Sequence, residues 1–169
     1  MLHRLLAISL WLASGTALAH PGGHAGGLAH GFAHPFFGLD HLLAMVIVGM
    51  WAARTARRVW LLPAVFVSFM AAGAALGQVP LPFVEPMILL SVLGFGLATI
   101  VAKRLPLWIG VPLVAVFALY HGHAHFVEMP DTSAAGYLAG MLLATASLHL
   151  IGVIAMRASM RLRSARRAS

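Results

Sequence analysis

Cysteine is absent from the 169 residues. That excludes disulfides, iron–sulfur clusters and thiolate metal sites, so any metal held by this chain must find nitrogen, oxygen or methionine sulfur. Charge is scarce as well. Only 9% of residues are charged against 61% hydrophobic, with a mean hydropathy of +0.93, whereas roughly a quarter of a soluble domain is charged. Acidic residues are the scarcest, 4 against 11 basic ones, for a net charge of +7. No HExxH zinc-protease motif occurs, and no Walker A phosphate loop, whose absence argues against ATP hydrolysis by this chain. The composition is that of an integral membrane protein.

The N-terminus reads as a secretory leader over residues 1–19. Met1 to Arg4 make a short basic start, Leu5 to Leu12 an apolar run too short to span comfortably, and Ala17-Leu18-Ala19 an A-x-A cleavage pattern. Residues 20–34, HPGGHAGGLAHGFAH, form a Gly-rich segment with His20, His24, His30 and His34. Glycine is a poor helix former, so an exposed, loosely ordered extracytoplasmic arm is expected there, able to gather metal weakly.

Five apolar stretches follow, at 35–53, 59–77, 86–102, 105–120 and 132–156. A helix of about 20 residues crosses the roughly 30 Å hydrocarbon layer, so the shorter stretches need flanking residues or a thinned membrane. Helices are expected because open sheets leave backbone groups unpaired in lipid. The fold class is therefore all-α, a polytopic transmembrane bundle over residues 35–156 with about five helices after leader removal. Arg54, Arg57 and Arg58 separate the first two stretches, Lys103 and Arg104 the third and fourth, and a basic tail over 157–169 follows the fifth. The alternate connections, GQVPLPFVE and HGHAHFVEMPD, contain no Lys or Arg. The positive-inside rule then places the mature N-terminus outside and the C-terminus in the cytoplasm. Orientation and anionic-lipid contact account for the basic excess, and a nucleic-acid partner is not called for.

In that topology Asp40, Glu85, Glu128 and Asp131, all the acidic residues of the chain, lie at extracytoplasmic ends of spans or in their connections. Two histidine motifs lie with them. In HPFFGLDH, Pro35 suits a first helical position, and Asp40 and His41 fall where an ionised carboxylate is costly unless paired or metal-bound. A continuous helix would align His34 with His41 at seven-residue spacing and place Met45 one turn below His41. In HGHAHFVE, His121, His123 and His125 share a side if the chain is extended. His121 and His125 align if the helix continues, and Gly122 permits a break between the two forms. Imidazoles with carboxylates suit Ni²⁺, Co²⁺ or Zn²⁺ better than Mg²⁺ or Ca²⁺. His149, well inside the fifth stretch, reads equally as a transit ligand and as a neutral core histidine bonded to Thr145 or Ser147. Gly73 with Gly77 and Gly136 with Gly140 give small-residue faces for close helix approach, within one chain or between copies. Pro112 is expected to bend or break the fourth span. Trp51, Trp60 and Trp108 fit an aromatic belt at the cytoplasmic interface.

The run HPFFGLDHLLAMVIVGMWAA from His34 to Ala53 resembles the signature of the HupE/UreJ family of bacterial membrane proteins, associated with nickel supply to hydrogenase and urease. YHGHAHFVE resembles that family's second motif, and Leu81 to Glu85 and a late helix with Tyr137, Ala144, Thr145 and His149 follow the same order. The resemblance implies secondary transport of nickel, in some members cobalt, across the bacterial cytoplasmic membrane. It implies His34, Asp40, His41, His121, His125 and Glu128 as metal ligands. His20, His24, His30, Met45, Glu85, His123 and His149 stand as auxiliary or transit ligands. No tightly bound cofactor is implied, because a carried ion must leave again. Phe126 stands where the family pattern has a small residue, and a further apolar helix is expected where this chain has its basic tail. The short spans and glycine faces lead to the expectation of a homo-oligomer with the metal path inside each protomer. Two other readings of the residues stay open: a metal-dependent intramembrane hydrolase, and an accessory or sensor subunit that binds metal without moving it.

Overall fold

The computed structural model describes residues 26–55, 58–102, 105–129 and 133–168. The leader, His20, His24 and Asp131 lie outside these residues. All regular structure among them is helical: α1 (Gly26–Ala33), a 3-10 turn (His34–Phe36), α2 (Leu39–Arg54), α3 (Leu61–Ala75), α4 (Val84–Ile100), α5 (Leu107–Val127) and α6 (Ala134–Ala168). Prolines mark the starts. Pro35 opens the 3-10 turn, Pro63 and Pro86 lie in the first turns of α3 and α4, and Pro106 precedes α5, positions where a missing N–H costs little. Pro112 lies inside α5, which nonetheless runs through it unbroken.

Helices α5 and α6 are long and apolar enough to cross a membrane. The segment Gly27–Phe36 with α2 makes a third candidate span, bent by 82°, while α3 and α4 are shorter apolar helices of 15 and 17 residues. The expected straight helix from Pro35 is thus replaced by a broken one. Phe37 closes the 3-10 turn, and Gly38, in extended conformation at φ −97°, caps α2. The Gly-rich arm also departs from expectation, since from Gly26 it is helical and packs along α6. Its glycines, poor formers in isolation, let two backbones meet: a Cβ at Gly31 would overlap the Tyr137 carbonyl, and one at Gly140 the Leu28 carbonyl. The segment expected as a basic tail continues α6 to Ala168.

Pairs α3 with α5 and α2 with α6 make the most extensive contacts, and α4 leans on α2 and α5. Gly73 and Gly77 face Leu119 and Phe126 of α5, so this glycine face, like the one on α6, is spent inside the protomer rather than left for a second copy. The departure at Phe126 is accommodated at Gly77, where any side chain would collide with the phenyl ring, and the backbone at His125 stays helical. Trp51 is not in an aromatic belt: it is buried, with its ring centroid 6.3 Å from that of Phe95. Phe95 in turn meets Phe66 at 6.2 Å and Phe117 at 5.4 Å. Trp60 and Trp108 are exposed, as an interfacial position requires. This aromatic core adjoins the histidines through Phe66, whose ring lies 5.4 Å from that of His121 and 5.0 Å from that of His149.

Candidate metal centre

Helix α5 continues to Val127, so the second motif takes its helical form and His121 and His125 share a face. Gly122 does not break the helix. It lies where α3 crosses, and a Cβ there would overlap the Met70 carbonyl oxygen. The same register turns His123 another way: its Nε2–H donates to the Val79 carbonyl at 2.9 Å, tying α5 to the α3–α4 connection. The first motif arrives from the broken helix. Although His34 and His41 lie on separate elements, both reach the α5 face. Ring centroids of His34 and His125 are 5.0 Å apart, those of His125 and His41 4.6 Å, and those of His41 and His121 4.9 Å. The result is a file of four imidazoles that begins at half-buried His34 and ends at fully buried His121.

Acidic and hydroxyl groups fix the tautomers of His34, His41 and His121. The Asp40 carboxylate accepts from the His41 backbone N–H at 2.8 Å and from ring Nδ1–H at 2.9 Å. The lone pair of His41 is thereby placed on Nε2, which is buried without a protein partner. Ser91 donates its only hydrogen to the Ile88 carbonyl at 2.6 Å, so the 2.9 Å contact with His121 has Nε2–H donating to Ser91 Oγ. The lone pair of His121 then lies on Nδ1, again buried and unpaired. Both ring nitrogens of His125 lack a protein partner. Buried polar atoms are normally satisfied, and a run of unpaired imidazole nitrogens is the donor set a late first-row cation needs. Ser91 has no counterpart in the sequence motifs. Removing its hydroxyl (Ser91→Ala) should free His121 to change tautomer and weaken binding of a late first-row cation, with Ni²⁺ as the probe, about tenfold, with Ser91→Thr restoring it. Unchanged titration curves for the alanine variant would refute the tautomer assignment.

At the mouth, His34 Nε2–H donates to Glu128 at 3.0 Å. That bond holds the Glu128 carboxyl below its ordinary value of 4.5 against the opposing effect of burial. One donor atom each from His34, His125 and Glu128 lie within 4.8 Å of one another, close enough to hold one ion. An ion held there would displace the proton between His34 and Glu128. Glu85, in the first turn of α4, shares a cavity of about 260 Å³ with His34, Asp40, His41 and Glu128. The residue before that turn, Phe83, is held at φ 60°, a strained conformation for a bulky side chain. His30 is exposed on α1 and does not join this group. Tyr137 does: its ring lies 5.6 Å from that of His34, and its buried hydroxyl has no partner.

Met45 and His149 lie deeper. His149 is buried with both nitrogens unpaired, and the expected hydrogen bonds to Thr145 or Ser147 are not made, because those hydroxyls turn to the carbonyls of Met141 and Leu143.

Comparison with known sequences agrees with this placement of motifs. The model of a protein family described as HupE / UreJ protein matches residues 8–169. The curated relative Protein HupE of Rhizobium leguminosarum bv. viciae is 45% identical over 141 residues, 81% of this chain and 74% of the relative. No solved structure matches.

Proposed function

We propose, from the premise that this chain belongs to the HupE/UreJ family, that it carries nickel ions, with cobalt as second choice, across the bacterial cytoplasmic membrane as a secondary transporter. The chain is a carrier and not an enzyme: the family is one of metal transporters, and the hydrolase reading has no further support. The observation that carries the proposal is the file of imidazoles descending from the mouth at His34 through His125 and His41 to His121. A surface chelate or sensor would need only the mouth group. A route needs ligands in sequence, each weak enough to pass the ion on.

In this reading His34, His125 and Glu128 receive the hydrated ion, with Asp40 and Glu85 drawing it into the cavity and His41 and His121 taking it further. Each exchange of water for imidazole leaves the coordination incomplete, so no metal stays as a resident cofactor. The five apolar segments are read as five spans, with the bent first pair crossing once and α3 and α4 crossing a locally thin region. The leader ends at Ala19, the histidine mouth faces outside, and the basic end of α6 lies in the cytoplasm. We also read the working form as a homo-oligomer, on the ground that the short helices α3 and α4, of 15 and 17 residues, offer limited surface for enclosing a hydrated path. Mass measurement in nanodiscs, with a single fully active copy as the contrary result, tests that.

Transport itself is tested with purified protein in liposomes that trap a nickel-sensitive dye. Wild type is expected to admit Ni²⁺, and Asp40→Ala to slow entry about tenfold or more by releasing the His41 ring. Absence of flux through correctly inserted protein overturns the proposal. Preference for Zn²⁺ over both Ni²⁺ and Co²⁺ in competition overturns the choice of substrate.

A further inference from the structure

Beneath the histidines the chemistry of the donors changes. Three helices each bring two residues four apart, hence on one face, to the same depth: Met45 and Gly49 of α2, Phe66 and Met70 of α3, Thr145 and His149 of α6. Thr145 Oγ1 lies 3.4 Å from Met45 Sδ, 3.4 Å from Met70 Sδ and 2.9 Å from the Met141 carbonyl oxygen. One hydroxyl hydrogen faces three acceptors, so at least two of them keep their lone pairs. One turn further, the absent side chain of Gly49 lets α2 close on the His149 backbone, and the Phe66 ring meets the His149 ring edge-on at 5.0 Å. Phe66 also lies 5.4 Å from His121, which joins this level to the end of the imidazole file. Met45, Met70 and Thr145 are wholly buried, and His149 is 1% exposed with neither ring nitrogen satisfied. In any neutral tautomer one of those nitrogens carries a lone pair.

We propose that Met45, Met70, Thr145 and His149 form an inner metal station, which takes a largely dehydrated late transition-metal ion from the histidines above and refuses hard divalent cations. This rests on the transport reading, and adds to it where selectivity is decided. Carboxylates at the mouth attract any dication, Mg²⁺ and Ca²⁺ included. Magnesium gives up its water reluctantly and demands oxygen ligands; two thioethers, a hydroxyl and an imidazole cannot replace that shell. Nickel and cobalt accept nitrogen and sulfur. The station also carries no formal charge, since Asp40, Glu85 and Glu128 all line the mouth cavity. Its hold on the ion is therefore weaker than that of the mouth, which favours onward release. Thr145 lies eight residues along α6 from Tyr137, about 12 Å deeper, and His149 about 18 Å deeper.

The test uses the full-length chain in liposomes. Met45→Leu/Met70→Leu keeps side-chain volume and apolarity while removing both sulfurs. Expected is nickel and cobalt flux about tenfold lower, with equilibrium nickel affinity at the mouth unchanged within about twofold, because the mouth ligands are untouched. Wild-type flux should also persist in a large excess of Mg²⁺. Independently of any variant, X-ray absorption at the cobalt edge of wild type loaded beyond the first equivalent of Co²⁺ should detect sulfur scatterers. Wild-type flux and Mg²⁺ rejection in the double leucine variant, or no sulfur around the second cobalt, overturns the inner station and leaves the transport reading standing. A wild type without nickel flux overturns the transport reading first.

Discussion

His125→Ala is expected to reduce nickel binding and uptake by about a hundredfold or more, the upper end of what losing a metal-site partner costs. His125 is the ring that touches both halves of the file, His34 at 5.0 Å and His41 at 4.6 Å, and it belongs to the group with His34 and Glu128 that can hold one ion. Its removal leaves His34 with Glu128 on the outside and His41 with His121 on the inside, with no imidazole between them. Neither ring nitrogen makes a hydrogen bond to the protein, so the substitution takes no scaffolding bond away, and the lost contacts are offset in part by the loss of two unsatisfied buried atoms. Calorimetric nickel titration, together with thermal unfolding in detergent, separates the two effects. A variant that binds nickel like wild type would remove His125 from the site.

Gly122→Leu is expected to cost about 3 kcal/mol or more of stability, because the new side chain meets backbone that cannot rotate away. A Cβ at this position would overlap the Met70 carbonyl oxygen and come within 2.9 Å of the Ala74 nitrogen, at the extensive contact between α3 and α5. The collision would part the helices on which His121, His125 and Met70 stand, so binding fails along with folding. Gly96 supplies the contrast. A Cβ there meets nothing within 4 Å, and Gly96→Leu should leave the unfolding temperature close to that of wild type. Equal tolerance at both positions would contradict the packing of α3 against α5.

Much of this arrangement was legible because a lipid-embedded chain declares itself in crude quantities. Apolar runs bounded by arginines gave the helices, and imidazoles with carboxylates gave the donors. Local reasoning failed where packing overrode local preference. Residues 26–33 looked too glycine-rich for a helix, yet the small side chains are what let this segment lie against α6 at Leu28 and Gly140. The seven-residue spacing of His34 and His41 suggested one face of one helix. Gly38 interrupts it, and the two rings instead meet on His125 by way of the fold. Ser91 and Met70 carried no signal at all, because a lone hydroxyl and one of nine methionines acquire meaning only from what lies across the helix contact. Trp51 shows the same limit in reverse: amphipathic by type, it sits in the core.

The position of Glu128 at the end of α5 has a consequence in terms of helix dipoles. At the mouth the chain presents the starts of α2 and α4 and the finish of α5, and thus both positive and negative helix poles. Asp40 and Glu85 occupy first turns, where the partial positive charge of free N–H groups favours a carboxylate by roughly 0.3–1 kcal/mol. Glu128 is the C-cap of α5, where the partial negative charge of free carbonyls opposes its own. Of the three carboxylates around the cavity it alone has a helix pole working against its ionised form. The His34 N–H compensates for this, and an arriving dication does so more strongly. On the proposed transport reading, the pole of α5 makes Glu128 the carboxylate that would gain most from a bound ion, which would put the first point of capture at the end of the second histidine motif.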